Sequence, residues 1–291
     1  MTKLSATGRA AVTLLAVAGL VTACGGSDAP ADVAAGSGST PTTLTVGMSW
    51  PYEPWQVGDG KATKDGIEPE LLAAIGEKAG ITFDIQNVDF TGIITGTQSG
   101  KYDLAVSGLG IYGDRLKALN FIPDAKTGYT MLINKEDEGK YADLSDLCGV
   151  KIAVGNGTKS ATDVEVANGT KDDDGSDYAG VCKDNPIDVS AFDDQAGQDL
   201  SFQTGKVEAE LLTKQVAQNY ADTNDGKYFV PEPYSVVNFG IGIPKDQTGL
   251  ADTLITAFKA VISDGTYAQI LAKYDQADAA LTADDIELVT K

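Results

Sequence analysis

The chain is 291 residues long, with 22 lysines and arginines against 42 aspartates and glutamates, three cysteines and no histidine. Without histidine there is no Cys/His zinc site, no Ser-His-Asp triad and no histidine acid/base catalysis. The excess of acids disfavours nucleic acid and anionic membrane as partners.

Lys3 and Arg9 form a positive start, Ala10 to Val21 an apolar run too short to span a bilayer, and Val21-Thr22-Ala23-Cys24 a small-residue processing site. Residues 1–23 are therefore expected to be a signal peptide. The tetrapeptide resembles the bacterial lipobox, which implies cleavage before Cys24 and lipidation of its thiol; the alternative is a plain signal peptide followed by a chance cysteine. Residues 24–43 are mostly Gly, Ser, Ala, Pro and Thr and read as a flexible tether. The leader holds two basic residues and no acid, so the remainder carries a formal charge of −22. The roughly 250 residues beyond the tether suffice for two lobes with cores of their own, and no second long apolar run follows.

Leu44 to Gly47 reads as a short strand, followed by a loop, MSWPYEPWQ, in which Trp50, Tyr52 and Trp55 cluster among prolines. These aromatics serve either as a ligand wall or as a lid over the core. Gly66 to Leu71 opens a helix with Pro69 in its first turn, Leu71, Leu72, Ile75 and Ala79 on one face, and Gly80 at its end. Ile81 to Val88 alternates as a strand, and Thr91 is expected to cap a second helix through Gln98. Strand, helix, strand, helix, strand signals a parallel sheet, whose ligands sit beyond the carboxyl ends of the strands.

The stretch Asp103 to Phe121, DLAVSGLGIYGDRLKALNF, is the most specific part of the chain. Leu104 to Val106 reads as a buried strand, and Ser107, Gly108 and Gly110 let a ligand approach bare backbone. Gly113 and Asp114 open a helical turn carrying Arg115, the only arginine after the leader. A guanidinium matches a carboxylate with two parallel hydrogen bonds, which nominates Arg115 as an anion anchor; an ordinary surface ion pair is the alternative.

Tyr129 to Asn134 is an extended run, and a fresh strand at Val150 to Val154 after a polar segment suggests a second lobe. In the turn that follows, Gly155 to Ser160, Thr158 caps a helix whose free amides face outward and suit an anion. Cys148 and Cys182 each precede an apolar strand-like run with a helical segment between. In an exported protein that layout allows a disulfide, with two free buried thiols as the alternative. The acidic loop from Lys171 to Asp177 lacks the spacing of a helix-loop-helix calcium site and reads as a solvated excursion. Phe192 to Gly205 is expected to be a helix, Val207 to Leu212 a strand, Asn238 to Pro244 an extended return, and Leu250 to Tyr274 two consecutive helical segments.

Six segments in this order resemble the extracytoplasmic solute-binding proteins of ABC importers, specifically the polar amino acid cluster called family 3. They are GIEPEL (Gly66 to Leu71), SGKYDLAVSG (Ser99 to Gly108), Arg115 with Asn120-Phe121, GVKIAVGNGT (Gly149 to Thr158), TGKVEA (Thr204 to Ala209) and SDGTYAQILAKY (Ser263 to Tyr274). The resemblance implies an α/β, two-lobed periplasmic-binding-protein clamshell of type II with two hinge crossings, near residues 125 to 130 and 235 to 240. Lobe 1 would comprise 44–127 and 238–291, lobe 2 residues 128–237. It further implies a ligand carboxylate held by Arg115 and by the amides of Thr158 and Lys159. Tyr52 packs on the ligand side chain, Ser49 lies near its tail, and Ser107, Gly108 and Gly110 supply the turn around it. Trp55 completes the set through its place in the aromatic loop.

One position departs from the resemblance. Thr213 stands where such proteins place the aspartate that pairs with the ligand's ammonium, leaving a neutral hydrogen bond in place of a charged one. Either Glu210, Asp193, Asp194 or Glu53 replaces it, or the ligand carries no ammonium there. The expected function is a lipid-anchored, extracytoplasmic, monomeric binding protein that delivers a small carboxylate-bearing solute to ABC permease subunits, without cofactor or metal. The alternative is an enzyme on the same fold, similar to cyclohexadienyl dehydratases, with Glu53 or Glu210 as general acid.

Overall fold

The computed structural model describes residues 42–59, 61, 64–171 and 176–291. The expected signal peptide, the Cys24 lipidation site and nearly all of the tether lie outside the described residues, as does most of the acidic loop after Lys171.

The first half follows the predicted alternation: β1 (Thr42–Met48), α1 (Ile67–Ala79), β2 (Ile81–Asn87), α2 (Ile93–Gln98), β3 (Leu104–Ala105), α3 (Gly113–Ala118) and the long strand β4 (Asn120–Asn134). Pro69 occupies the first turn of α1, where its missing N–H leaves no bond unmade, and Leu71, Leu72 and Ile75 are buried beneath it. Thr91 does not cap α2. It sits inside a 3-10 turn, Phe90–Gly92, and Gly92 precedes the helix.

The second half contains β5 (Lys151–Gly155), α4 (Lys159–Ala167), β6 (Asp188–Phe192), α5 (Gln195–Gln203), β7 (Ala209–Thr213) and α6 (Lys214–Thr223). Then come β8 (Tyr228–Phe229), β9 (Ser235–Ile243), α7 (Thr248–Ser263) and α8 (Thr266–Lys273). Phe192 ends β6 instead of starting a helix; Asp194 caps α5 by accepting from Gly197 N at 2.7 Å. Helix α6 has no counterpart among the sequence expectations, because it buries Gln215 alongside Val216 and Ala217 and so lacks a clean apolar stripe. Cys148 and Cys182 are joined by a disulfide.

The strands order as β2-β1-β3-β9-β4-β7-β5-β6, with β8 also on β4. Pairs β1/β2, β1/β3, β5/β6 and β5/β7 are parallel. Strand β4 is the link between the halves. Asn120 to Tyr129 pair antiparallel with β9, and Tyr129 to Ile133 pair with β7. The result is an α/β two-lobed clamshell. One core gathers α1, α7, α8 and β1 with part of β9; another gathers Ile133, Leu144, Ile152, Val164, Cys182 and Leu211.

Candidate functional site

Parallel strands leave the starts of helices and the backbone turns at their carboxyl ends, and the cleft lies there on both sides. The β1 end contributes Ser49, Trp50, Pro51 and Tyr52, and the β3 end Ser107 and Gly108. From the opposite side come Gly155, Asn156, Thr158 and Ser160 after β5, Phe192, Asp193, Asp194, Gln195 and Gln198 after β6, and Leu211 to Thr213 at the end of β7. Phe90, Arg115 and Tyr129 complete the lining, and the cleft measures about 760 Å³ with its open mouth included.

Arg115 is 7 % exposed. Its Nη1 donates to the carbonyl of Gly110 at 3.1 Å and its Nη2 crosses the cleft to the carbonyl of Gly157 at 3.0 Å. The rings of Tyr112 and Phe90 stand 4.7 and 5.5 Å from its Cζ. Among the described residues no carboxylate lies within ion-pair distance of it. A buried cation without a carboxylate is costly, and here two backbone carbonyls and two aromatic rings are its neighbours.

Gly108 adopts φ +56°, and a Cβ there would stand 3.2 Å from the Tyr52 ring. Its N–H donates to both oxygens of Glu68 at 2.8 and 3.0 Å, and Gln56 donates to the same carboxyl. Glu68, from the GIEPEL segment, therefore fixes the cleft turn from beneath. Thr158 accepts from Ala161 N at 3.2 Å and caps α4 beside Gly157. Across the cleft the phenol of Tyr52 meets Thr213 Oγ1 at 3.0 Å. Burial pushes the Tyr52 phenol up to about 12, so it stays neutral and bonds as a hydroxyl.

Of the residues nominated from sequence, Ser49, Tyr52, Ser107, Gly108, Arg115, Thr158 and Thr213 line the cleft. Three do not. Trp55 is fully buried, edge-on to Phe239 at 4.9 Å, and belongs to the core; its loop neighbour Trp50 faces the cleft instead. Gly110 lies behind the lining, where a Cβ would meet the Tyr129 hydroxyl at 2.5 Å, and serves through the carbonyl that holds Arg115. Lys159, nominated for its backbone amide, directs its side chain to Asp163 one turn further along the helix. Among the carboxylates considered for the ammonium, Asp193 and Asp194 line the cleft, Glu53 is exposed outside it and Glu210 is buried behind β7. Sequence reasoning missed Phe90, Tyr129, Phe192, Gln195 and Gln198, which carry no local signal beyond closing a strand or opening a helix.

Two lobes meeting over a cleft of mixed polar and aromatic lining define a protein that captures a small solute between them. Residues 44–277 match the family described as bacterial extracellular solute-binding proteins, family 3, and the chain belongs to that family. It is similar to the L-cystine-binding protein TcyJ of Escherichia coli K12, 25 % identical over 242 residues, 81 % of this chain and 84 % of that one. Among solved structures it is similar to an ancestral arginine-binding protein bound to arginine: TM-score 0.70, 28 % identity, 80 % of this chain and 97 % of that one. An ancestral amino-acid-binding protein described as a precursor of cyclohexadienyl dehydratase matches with TM-score 0.67 and 25 % identity, over 80 % and 95 % of the two chains. The chain is accordingly an extracytoplasmic solute-binding protein. No described helix is long and apolar enough to cross a membrane.

Proposed function

We propose that this protein is the substrate-capturing lipoprotein of an ABC importer, that it works as a monomer anchored through Cys24, and that it binds an amino acid or derivative by its carboxylate. The observation that carries this reading is the buried Arg115 guanidinium, unpaired with any carboxylate among the described residues and reaching across the cleft to Gly157. The carboxylate would take the guanidinium fork on one side and the α4 start at Thr158 on the other. Each lobe holds half of that site, so ligand binding favours closure by its differential contacts. Lobe 1 would comprise 44–127 and 238–291 and lobe 2 residues 128–237, hinged where Lys126 to Tyr129 pair with Ser235 to Asn238.

The remaining lining selects the rest of the ligand. Trp50, Tyr52, Phe90 and Phe192 offer apolar faces, while Asp193 and Asp194 place carboxylates at the cleft. With one guanidinium to neutralise a carboxylate, the cleft favours ligands whose other groups are neutral or cationic, in keeping with the arginine bound by a similar solved structure. A thermal-shift and calorimetric screen over proteinogenic amino acids, their keto acids, betaines and polyamines tests this. Stabilisation by one or a few carboxylate-bearing solutes is expected. Stabilisation by polyamines alone would sink the carboxylate assignment.

A further inference from the structure

Thr213 stands where an acidic partner for the ligand's amine is expected, and its hydroxyl is already engaged by Tyr52 at 3.0 Å. Asp193 and Asp194 each have an oxygen committed elsewhere, to Asn156 Nδ2 at 2.7 Å and to the α5 start at 2.7 Å, and both side chains are exposed. Gln195, at the start of α5, lines the cleft and donates its Nε2 to Asp199 Oδ1 at 2.6 Å and to Glu210 Oε1 at 2.9 Å. Two acceptors consume the two hydrogens of the amide nitrogen. The amide's other polar atom, its carbonyl oxygen, is what remains for a ligand.

We propose that Gln195 Oε1 is the acceptor for the ligand's ammonium group, and that Asp199 and Glu210 are positioning residues that hold the amide in this orientation. The inference rests on the carboxylate reading of Arg115 and adds the second recognition point. Glu210 is fully buried on β7, and burial followed by the charge of Asp199 raises its carboxyl well above the usual range, so it keeps its proton. Burial raises the Asp199 carboxyl as well. An anion that receives the amide N–H polarises the amide and strengthens its carbonyl as an acceptor. The cleft thereby obtains a neutral acceptor backed by two acids, where an aspartate at position 213 would supply a charge directly. Ligands bearing a protonated primary amine next to the carboxylate are favoured over their desamino counterparts.

The test is calorimetric titration of the protein with the proteinogenic L-amino acids and, for each binder, the carboxylic acid that lacks its α-amine. The wild-type chain should prefer the amine-bearing member by about tenfold or more, the range expected when a charged donor meets a neutral acceptor. Gln195→Leu should lose that preference and still bind the desamino acid, which shows that the cleft and Arg115 are intact. Asp199→Asn should also lose it although Asp199 does not line the cleft, because an asparagine can donate to the glutamine carbonyl and turn the amide over. Glu53→Gln, at an exposed acid outside the cleft, should keep it. A preference unchanged in Gln195→Leu, or abolished only in Asp193→Asn, overturns the role of Gln195 while the carboxylate reading stands. A preference unchanged in Asp199→Asn overturns the positioning role, and a wild type indifferent to the amine overturns the whole inference. If no amino acid and no desamino acid binds the wild type, the carboxylate reading falls with it.

Discussion

The phenol of Tyr52, on the β1 loop, and the hydroxyl of Thr213, at the end of β7, meet at 3.0 Å across the cleft, 161 positions apart in sequence. With the Arg115 to Gly157 bond they tie the two sides of the cleft together in the closed arrangement.

Tyr52→Phe keeps the ring and removes this tie. A neutral hydrogen bond contributes about 0.5 to 1.5 kcal/mol, so the balance between closed and open forms should move toward open by about 2- to 13-fold. Small-angle scattering of the ligand-free variant should show a larger radius of gyration than wild type. An unchanged radius would assign closure to other contacts.

Arg115→Lys preserves the charge and loses the fork that reaches both Gly110 and Gly157. Losing one charge-assisted hydrogen bond costs about 1.5 to 3 kcal/mol, so carboxylate ligands should bind more weakly by about 10-fold or more. Ligand-induced rise in melting temperature is the readout, and a rise equal to wild type would remove Arg115 from the site.

Glu68 and Asp124 are buried acids whose charges repel one another, and burial raises both, Asp124 up to about 8. Below about pH 3 both carboxyls are protonated whether the chain is folded or not. Above it the unfolded chain releases protons that the folded chain retains, so stability declines as pH rises toward 8. The melting temperature should therefore fall between pH 5 and pH 8, and Asp124→Asn should flatten that slope. Identical slopes in variant and wild type would contradict the assignment.

The Cys148–Cys182 disulfide, 34 positions apart, closes a loop in the unfolded chain. Loop-closure entropy predicts a loss of about 3 to 4 kcal/mol on replacing both cysteines by serine, visible as a lower denaturation midpoint with a steeper denaturant slope from the more open unfolded chain. Alkylation of either thiol in the native, unreduced protein would refute the bond.

Much of the fold was legible because its signals are local. Gly80 stopping α1, Pro69 in its first turn and Thr158 capping α4 each act within a few residues, and the structure has them in those roles. Helix α6 escaped because Gln215, a polar residue, faces inward to bond Thr127 and the carbonyl of Lys126, partners 88 and 89 positions away. The site divides along the same line. Arg115 and Thr158 announce themselves by residue type next to a turn. Trp50 and Trp55 share one loop, and only the packing of Trp55 on Phe239 decides which of them faces the cleft.

The amino-acid sequence by itself determined the family, the alternation of strands and helices and which residue is proposed as the anion anchor, since each depends on residue types at short spacing. The tertiary structure alone decided what surrounds that anchor. Gln195, Asp199 and Glu210 lie on α5 and β7 and converge only when helix and strand pack together, and Thr213 finds Tyr52 only when the two sides of the cleft meet. Contacts between distant segments are set by how the sheet curls and the core fills, and no short stretch of residues encodes that.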